Sequence, residues 1–267
     1  MRGAGGYAGR MLPARTGFLF GDLRIATVAE GRGAFAHTFG GPHDRAGASR
    51  DACNGILIHL LHRLDTTDPA VPVRVPGVRW LPLYYCFDFR ANDLGYRLLS
   101  DTEMVTFFPT DDPNVTAEES WPGDDYPTEF PRRAVAVAPH PYDPTDLDDA
   151  YNWAGVFGIG RLSARQQRAA RARVARTAER LGFFVPETDE EFAEALSLPY
   201  AQGKPNATCL NPECPNRDRR GQLVPIAITP AEPVEGVHTF GEHGRGVIVT
   251  FYKCPQCHTI RASNQSA

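Results

Sequence analysis

The sequence predicts an α+β, β-rich protein. Two pseudo-repeated antiparallel β units flank a helical connector, and a zinc-ribbon-like site of four cysteines clamps the second unit. Three observations carry this reading. Short β-branched and aromatic runs bounded by Gly and Pro recur along most of the 267 residues. Two stretches, LPLYYCFDF…MVTFF and LVPIAIT…IVTFY, share one strand–loop–strand pattern; the spans Leu83 to Phe107 and Ile226 to Phe251 differ by one residue. Four of the six cysteines fall in the last 60 residues. The expected organisation is a Gly-rich lead-in (1–16), an N-terminal β-rich half with one helix (17–160), a helical connector (161–200) and a C-terminal zinc-binding β half (201–267).

From the N-terminus, GFLFGDLRIATVA (17–29) reads as strand, and FGGPHDR (39–45) as a turn. In SRDACNGILIHLLHRLDTT (49–67), Ala52, Ile56, Leu60 and Leu64 stand at helical spacing behind an N-capping Ser49. This predicts a buried helix with Cys53 on its apolar side and His59 and His62 facing solvent. Residues 71–90 read as strands broken by prolines. Leu81, Leu83, Tyr85, Phe87 and Phe89 alternate onto one face, with Cys86 on the other. EMVTFFP (103–109) and RAVAVAP (133–139) are further strands, separated by an acidic stretch at 110–132, and a second acidic connection runs over 140–153.

Two helices have explicit start signals. Ser163 and Gln166 form a capping box, Ala170, Val174, Ala178 and Leu181 line one apolar stripe, and Gly182 stops the helix. Thr188 and Glu191 form a second box ahead of Phe192 and Leu196. Strands return at 222–229, 236–240 and 246–252.

The most specific motif is CLNPEC (209–214) with CPQC (254–257). Two short Cys-loop-Cys turns can each present two thiolates to one ion, and zinc takes four at tetrahedral corners. Thirty-nine residues separate Cys214 from Cys254, more than in a compact ribbon, so the ion would clip both ends of a β-meander. Four sulfur ligands leave no position for water, which predicts a structural Zn2+ and not a catalytic one. The N-terminus has no apolar leader core, and the expected compartment is the reducing cytoplasm, where clustered cysteines favour metal over disulfide. His258, beside Cys257, reads as a surface residue, with replacement of one sulfur as the alternative.

LPLYYCFDF…EMVTFFP and QLVPIAIT…FGEHGRGVIVTFYKCPQC…NQ resemble the two halves of the YwqG-like family, bacterial proteins of unassigned function. FGGPHDR matches that family's opening turn, FGEHGRG its Gly-rich stretch and Gln265 its near-terminal glutamine, so the likeness spans about 35–265. The chain departs from the pattern in its acidic insertions at 110–150, and no Gly-Gly turn opens its second half. The resemblance implies a β-rich architecture and an immunity- or antagonist-type role.

Other chemistry finds little support in the sequence. No GxSxG, P-loop or GxGxxG setting occurs. A net charge of -4 argues against general affinity for nucleic acid, and no apolar run reaches the ~20 residues of a membrane span. The expected role is non-enzymatic binding of another protein or peptide. Trp121, Tyr126 and Phe130, set among carboxylates, are the candidate docking residues. Two alternatives stand beside it: a metal-dependent enzyme built on His238, Glu242 and His243, and a nucleic-acid binder using Arg165, Arg168, Arg171, Arg173, Arg176 and Arg180 of the 163–181 helix. Only Lys204 and Lys253 among the 28 basic residues are lysine, so arginine richness in one segment carries little weight.

Overall fold

A computed structural model describes residues 15–21, 24–53, 55–87, 93–109, 127–139, 163–182, 184–192, 207–229 and 247–266. Among these the chain forms β1 (Arg15–Gly21), β2 (Arg24–Glu30), β3 (Thr38–Phe39), β4 (His59–Asp65), β5 (Trp80–Tyr85), β6 (Asp93–Leu98), β7 (Met104–Phe107), β8 (Arg133–Pro139), α1 (Ala164–Leu181), β9 (Val224–Thr229), β10 (Val247–Lys253) and β11 (Ile260–Ser266). The strands run antiparallel in the order β5-β4-β3-β8-β2-β1-β9-β10-β11-β6-β7. They make up two sheets that share β8. Arg133 and Ala134 pair with β3, and residues 135–139 pair with β2.

One end of this strand order, β5, meets β6, the strand next to the other end. Tyr96 of β6 donates its hydroxyl to Pro82 O of β5 (2.9 Å) and accepts from Tyr84 N–H (3.2 Å). Tyr84 donates in turn to Asp44 Oδ1 (2.6 Å). Burial pushes both phenols far above the usual tyrosine range, so they stay protonated and remain donors. Arg45, 1% exposed, completes the junction. Its Nη2 donates to Trp80 O (2.6 Å) and its Nε to Ser100 O (3.1 Å), and the guanidinium pairs with Asp44 and Asp101 at 3.1 and 3.7 Å. A buried charge is tolerated because neutral and charged acceptors surround it.

The core lies inside this curl. Leu61, Leu64, Leu81, Leu83, Tyr84, Leu94, Phe251 and Ile260 are essentially inaccessible. An aromatic group caps one end: Phe130 stacks on Phe39 and His59 (centroids 5.9 and 5.0 Å) and meets Phe87 edge-on at 6.0 Å. Such contacts add about 0.5–1.5 kcal/mol each beyond area burial. Phe130 is thus a core residue, which corrects its assignment to a docking surface.

The expected helix over 49–67 is a second correction. Ser49 does cap, accepting Ala52 N–H at 3.3 Å, but only a single turn follows, ended by Gly55 at φ 82°. The chain then enters β4, buried on both faces. A strand covered on both sides needs no polar alternation, and its dense apolar run meets helical spacing by density alone. His59 and His62 are accordingly 1% exposed, not solvated; His62 packs edge-on against Phe39 at 5.3 Å. Cys53 is buried as expected, and Cys86, one residue past β5, is equally buried.

Three strands have no counterpart in the sequence reading: the two-residue β3, β6 and β11. The two proposed repeats differ topologically: β9 pairs directly with β10, whereas β5 and β7 stand at opposite ends of the strand order. The helix signals hold. Gln166 N–H reaches Ser163 Oγ while the Gln166 side chain accepts Ser163 N–H, Gly182 closes α1 in the left-handed region, and Ala170, Val174 and Ala178 are buried. Thr188 and Glu191 form the second box, with Phe192 buried behind it. The expected strand at 236–240 and residues Phe89 and Leu196 lie outside the described residues. No described helix is long and apolar enough to cross a membrane.

Burial lowers the His59 pKa to about 4, opposed by its hydrogen bond to Pro127 O (2.8 Å). Between pH 6.5 and 4 the unfolded chain therefore holds a proton there that the folded chain lacks, and stability falls as pH falls. This one side chain should remove about 3 kcal/mol between about pH 7 and 4. Urea unfolding at stepped pH should show a shallower pH slope for His59→Gln than for the parent; identical slopes would disprove the assignment.

Candidate metal centre

The two cysteine motifs converge. Cys209 and Cys214 lie in the turn-rich stretch that precedes β9, and Cys254 and Cys257 lie in the turn joining β10 to β11. The β10–β11 ladder closes at Lys253↔Ile260, which fixes where that turn begins and ends. The four Sγ atoms lie within 4.8 Å of one another. Cys209 Sγ is 3.5 Å from Cys257 Sγ, and Cys214 Sγ is 3.6 Å from Cys254 Sγ. A tetrahedron with metal–sulfur arms of ~2.3 Å has edges of about 3.8 Å, so the thiols already stand near ligand separation. All four are free, and these spacings lie far beyond a sulfur–sulfur bond of about 2.05 Å.

Local hydrogen bonds build each turn. Cys209 N–H donates to Asn216 O (3.2 Å), and Cys214 N–H to Asn211 O (3.1 Å). Asn211 Oδ1 accepts Glu213 N–H (3.0 Å), shaping the loop between the two cysteines. Asn216 then turns two donors on sulfur: its N–H lies 3.4 Å from Cys214 Sγ and its Nδ2 lies 3.5 Å from Cys254 Sγ. In the second turn Cys254 N–H donates to Thr259 O (2.8 Å), His258 N–H donates to Cys254 O (3.0 Å), and Thr259 Oγ1 sits 3.1 Å from Cys257 Sγ.

The thiols differ electrostatically. Burial pushes Cys209 and Cys214 up, and Cys254 and Cys257 add to the rise. Burial opposes ionisation of Cys257 too, but the Thr259 side chain and backbone and the neighbouring thiols outweigh it and bring that thiol to about 7. Half-buried Cys257 is therefore poised to ionise near neutral pH, ahead of Cys209 and Cys214. A bound cation would supply the charge that favours thiolate at the deeper positions.

The site is tied to the sheet at two points. Arg261 of β11 donates Nη1 to Thr208 O (2.7 Å), next to Cys209, and pairs through Nη2 with buried Asp93 of β6. Leu210 lies across β6 at Gly95, where a Cβ would come within 2.7 Å of Leu210 Cβ. Only glycine allows the cysteine-bearing loop to approach the strand this closely.

Sequence reasoning located the four cysteines but not Asn216, Thr259, Arg261 or Gly95. The first two stand two residues beyond a cysteine of each pair, and that spacing is the signal available. His258 is not among the converging ligands; it is the one non-glycine with positive φ (59°) among the described residues. Trp121, Tyr126, His238, Glu242 and His243 lie outside the described residues. In α1, Arg165, Arg168, Arg176 and Arg180 are exposed. Arg171 pairs with Asp189 and stacks on Phe192 at 4.6 Å, so one arginine serves helix packing. No family model, curated protein or solved structure matches the chain.

Because position 258 needs a left-handed backbone, His258→Gly should leave stability within about 1 kcal/mol of the parent, whereas His258→Val should cost about 1–3 kcal/mol. Any metal that the parent carries should be retained in His258→Gly. Loss of metal in that variant, measured by elemental analysis, would make His258 a ligand after all.

Proposed function

We propose that the four cysteines hold one structural Zn2+ and that the chain is a cytoplasmic, non-enzymatic binding protein stabilised by that ion. One observation carries the metal reading: two sequence-distant turns bring four sulfurs within 4.8 Å, three of them buried, with no disulfide. An all-thiolate donor set is soft and suits zinc over the hard cations that take oxygen ligands. Four protein ligands complete the tetrahedron, which assigns the ion to folding. The likeness of the two strand–loop–strand stretches to YwqG-like halves supports an accessory or immunity-type role, in which a macromolecular partner is the target.

Purified chain should carry one zinc per molecule. Cys254→Ser with Cys257→Ser should abolish it and lower the melting temperature, and chelation of the parent should do the same. A fully folded parent with no bound metal would refute the zinc reading. For the binding role, affinity isolation from the native host should recover a stoichiometric protein partner. Turnover of a substrate by the zinc-loaded chain would overturn it.

A further inference from the structure

The outward face of the β3–β4 sheet carries a basic groove of about 490 Å3. Register explains its composition. Thr38 pairs with Arg63 on one side and Ala134 on the other, so these three residues share one face. The 32–37 segment forms a wall beside them, and Arg32, Arg63, Arg132, Phe35 and Trp80 line the space. No carboxylate is among the described lining residues.

Two described acids beside His37 are engaged away from the groove. Asp65 pairs with Arg79 at 2.9 Å, and Asp68 accepts from His37 at 2.9 Å. His37 cannot act as a free base, because its other nitrogen accepts Asp65 N–H at 2.9 Å. Asp44 takes one edge of Arg63, its Oδ2 lying 3.2 Å from Nε. That leaves the terminal nitrogens of Arg63 for a ligand. Trp80 holds this guanidinium in place, with Cζ 3.9 Å from the ring centroid. Arg32 and Arg132 are exposed and have no carboxylate partner among the described residues. Three guanidinium groups thus converge on one concavity, one of them fixed by an aromatic ring and an ion pair.

We propose that this groove binds a small ligand bearing two oxyanion groups, a diphosphate or a dicarboxylate. Guanidinium forks match both chemistries, and fixing Arg63 in advance reduces the ordering cost of binding. The volume falls in the range of about 300–1,000 Å3 typical of small-molecule sites. The groove lies apart from the cysteine site, and its occupancy does not depend on the metal reading.

The test is calorimetric titration of the chain as purified, at low ionic strength, with inorganic pyrophosphate in one arm and succinate in the other. The result expected is saturable 1:1 binding of at least one probe, with the stronger arm naming the ligand class. Binding should weaken at least about tenfold in R32A/R132A and in R63K, which keeps charge but loses the fork. Arg132→Gln alone, judged by an unchanged melting temperature, serves if the double variant folds poorly. No binding of either probe up to about 10 mM, a concentration that would detect even feeble sites, would overturn the proposal. So would equal binding by the parent and a folded R32A/R132A chain, which would move the anion to other arginines.

Discussion

The architecture depends on one junction: the hydrogen bonds that Tyr96 and Arg45 make where β5 and β6 come together. Two antiparallel sheets joined through β8 and left open would expose both faces at their outer strands. Here β5 and β6, far apart in strand order, lie against each other through Tyr96 and Pro82, and Arg45 fastens the loops around them. The apolar side chains of β4 and β5 can then be buried on both faces. Tyr84, Tyr96 and Arg45, which make this junction, are themselves buried, and each has a partner. Removing one would leave the others unsatisfied, at about 1–3 kcal/mol for every stranded group.

The cysteine site draws on the same sheet. Its second turn is the reversal between two long strands, so Cys254 and Cys257 inherit a rigid position from the β10–β11 ladder. Its first turn has no strand of its own before Cys209 among the described residues and borrows order from β6 and β11 through Leu210 and Arg261. The two turns are thus unequal: one is set by backbone pairing, the other by side-chain anchors. An ion bound between them would join a pre-formed half-site to one held by contacts with its neighbours.

What could be read from residues alone follows from how local each signal is. The capping boxes at Ser163 and Thr188 depend on three or four consecutive residues, and both form as read. The cysteine spacing likewise carries its own geometry. The apolar run ILIHLLHRL failed because burial on both faces erases the alternation that separates strand from helix. DLGYRL (β6) and IRASNQS (β11) escaped notice for the opposite reason. Each carries Gly, Ser, Asn or charged residues, and its strand state is imposed by neighbours: Asp93 and Arg261 complement each other across the ladder, and Gly95 makes room for Leu210. Tertiary context outweighs propensity there. Phe130 shows the same limit at one residue, since nothing in an acidic stretch marks a side chain that ends in an aromatic core.

The position of β9–β10–β11 has a consequence for biosynthesis. These last three strands stand between β1 and β6 in the sheet. A nascent chain emerging from the ribosome therefore displays two unpaired edges, each waiting for strands synthesised more than a hundred residues later. The C-terminal segment is the keystone of an arch, not an appended module. Until it is set, the N-terminal strands are exposed to pairing with other chains, and the interval before its arrival is when the protein is most vulnerable to aggregation.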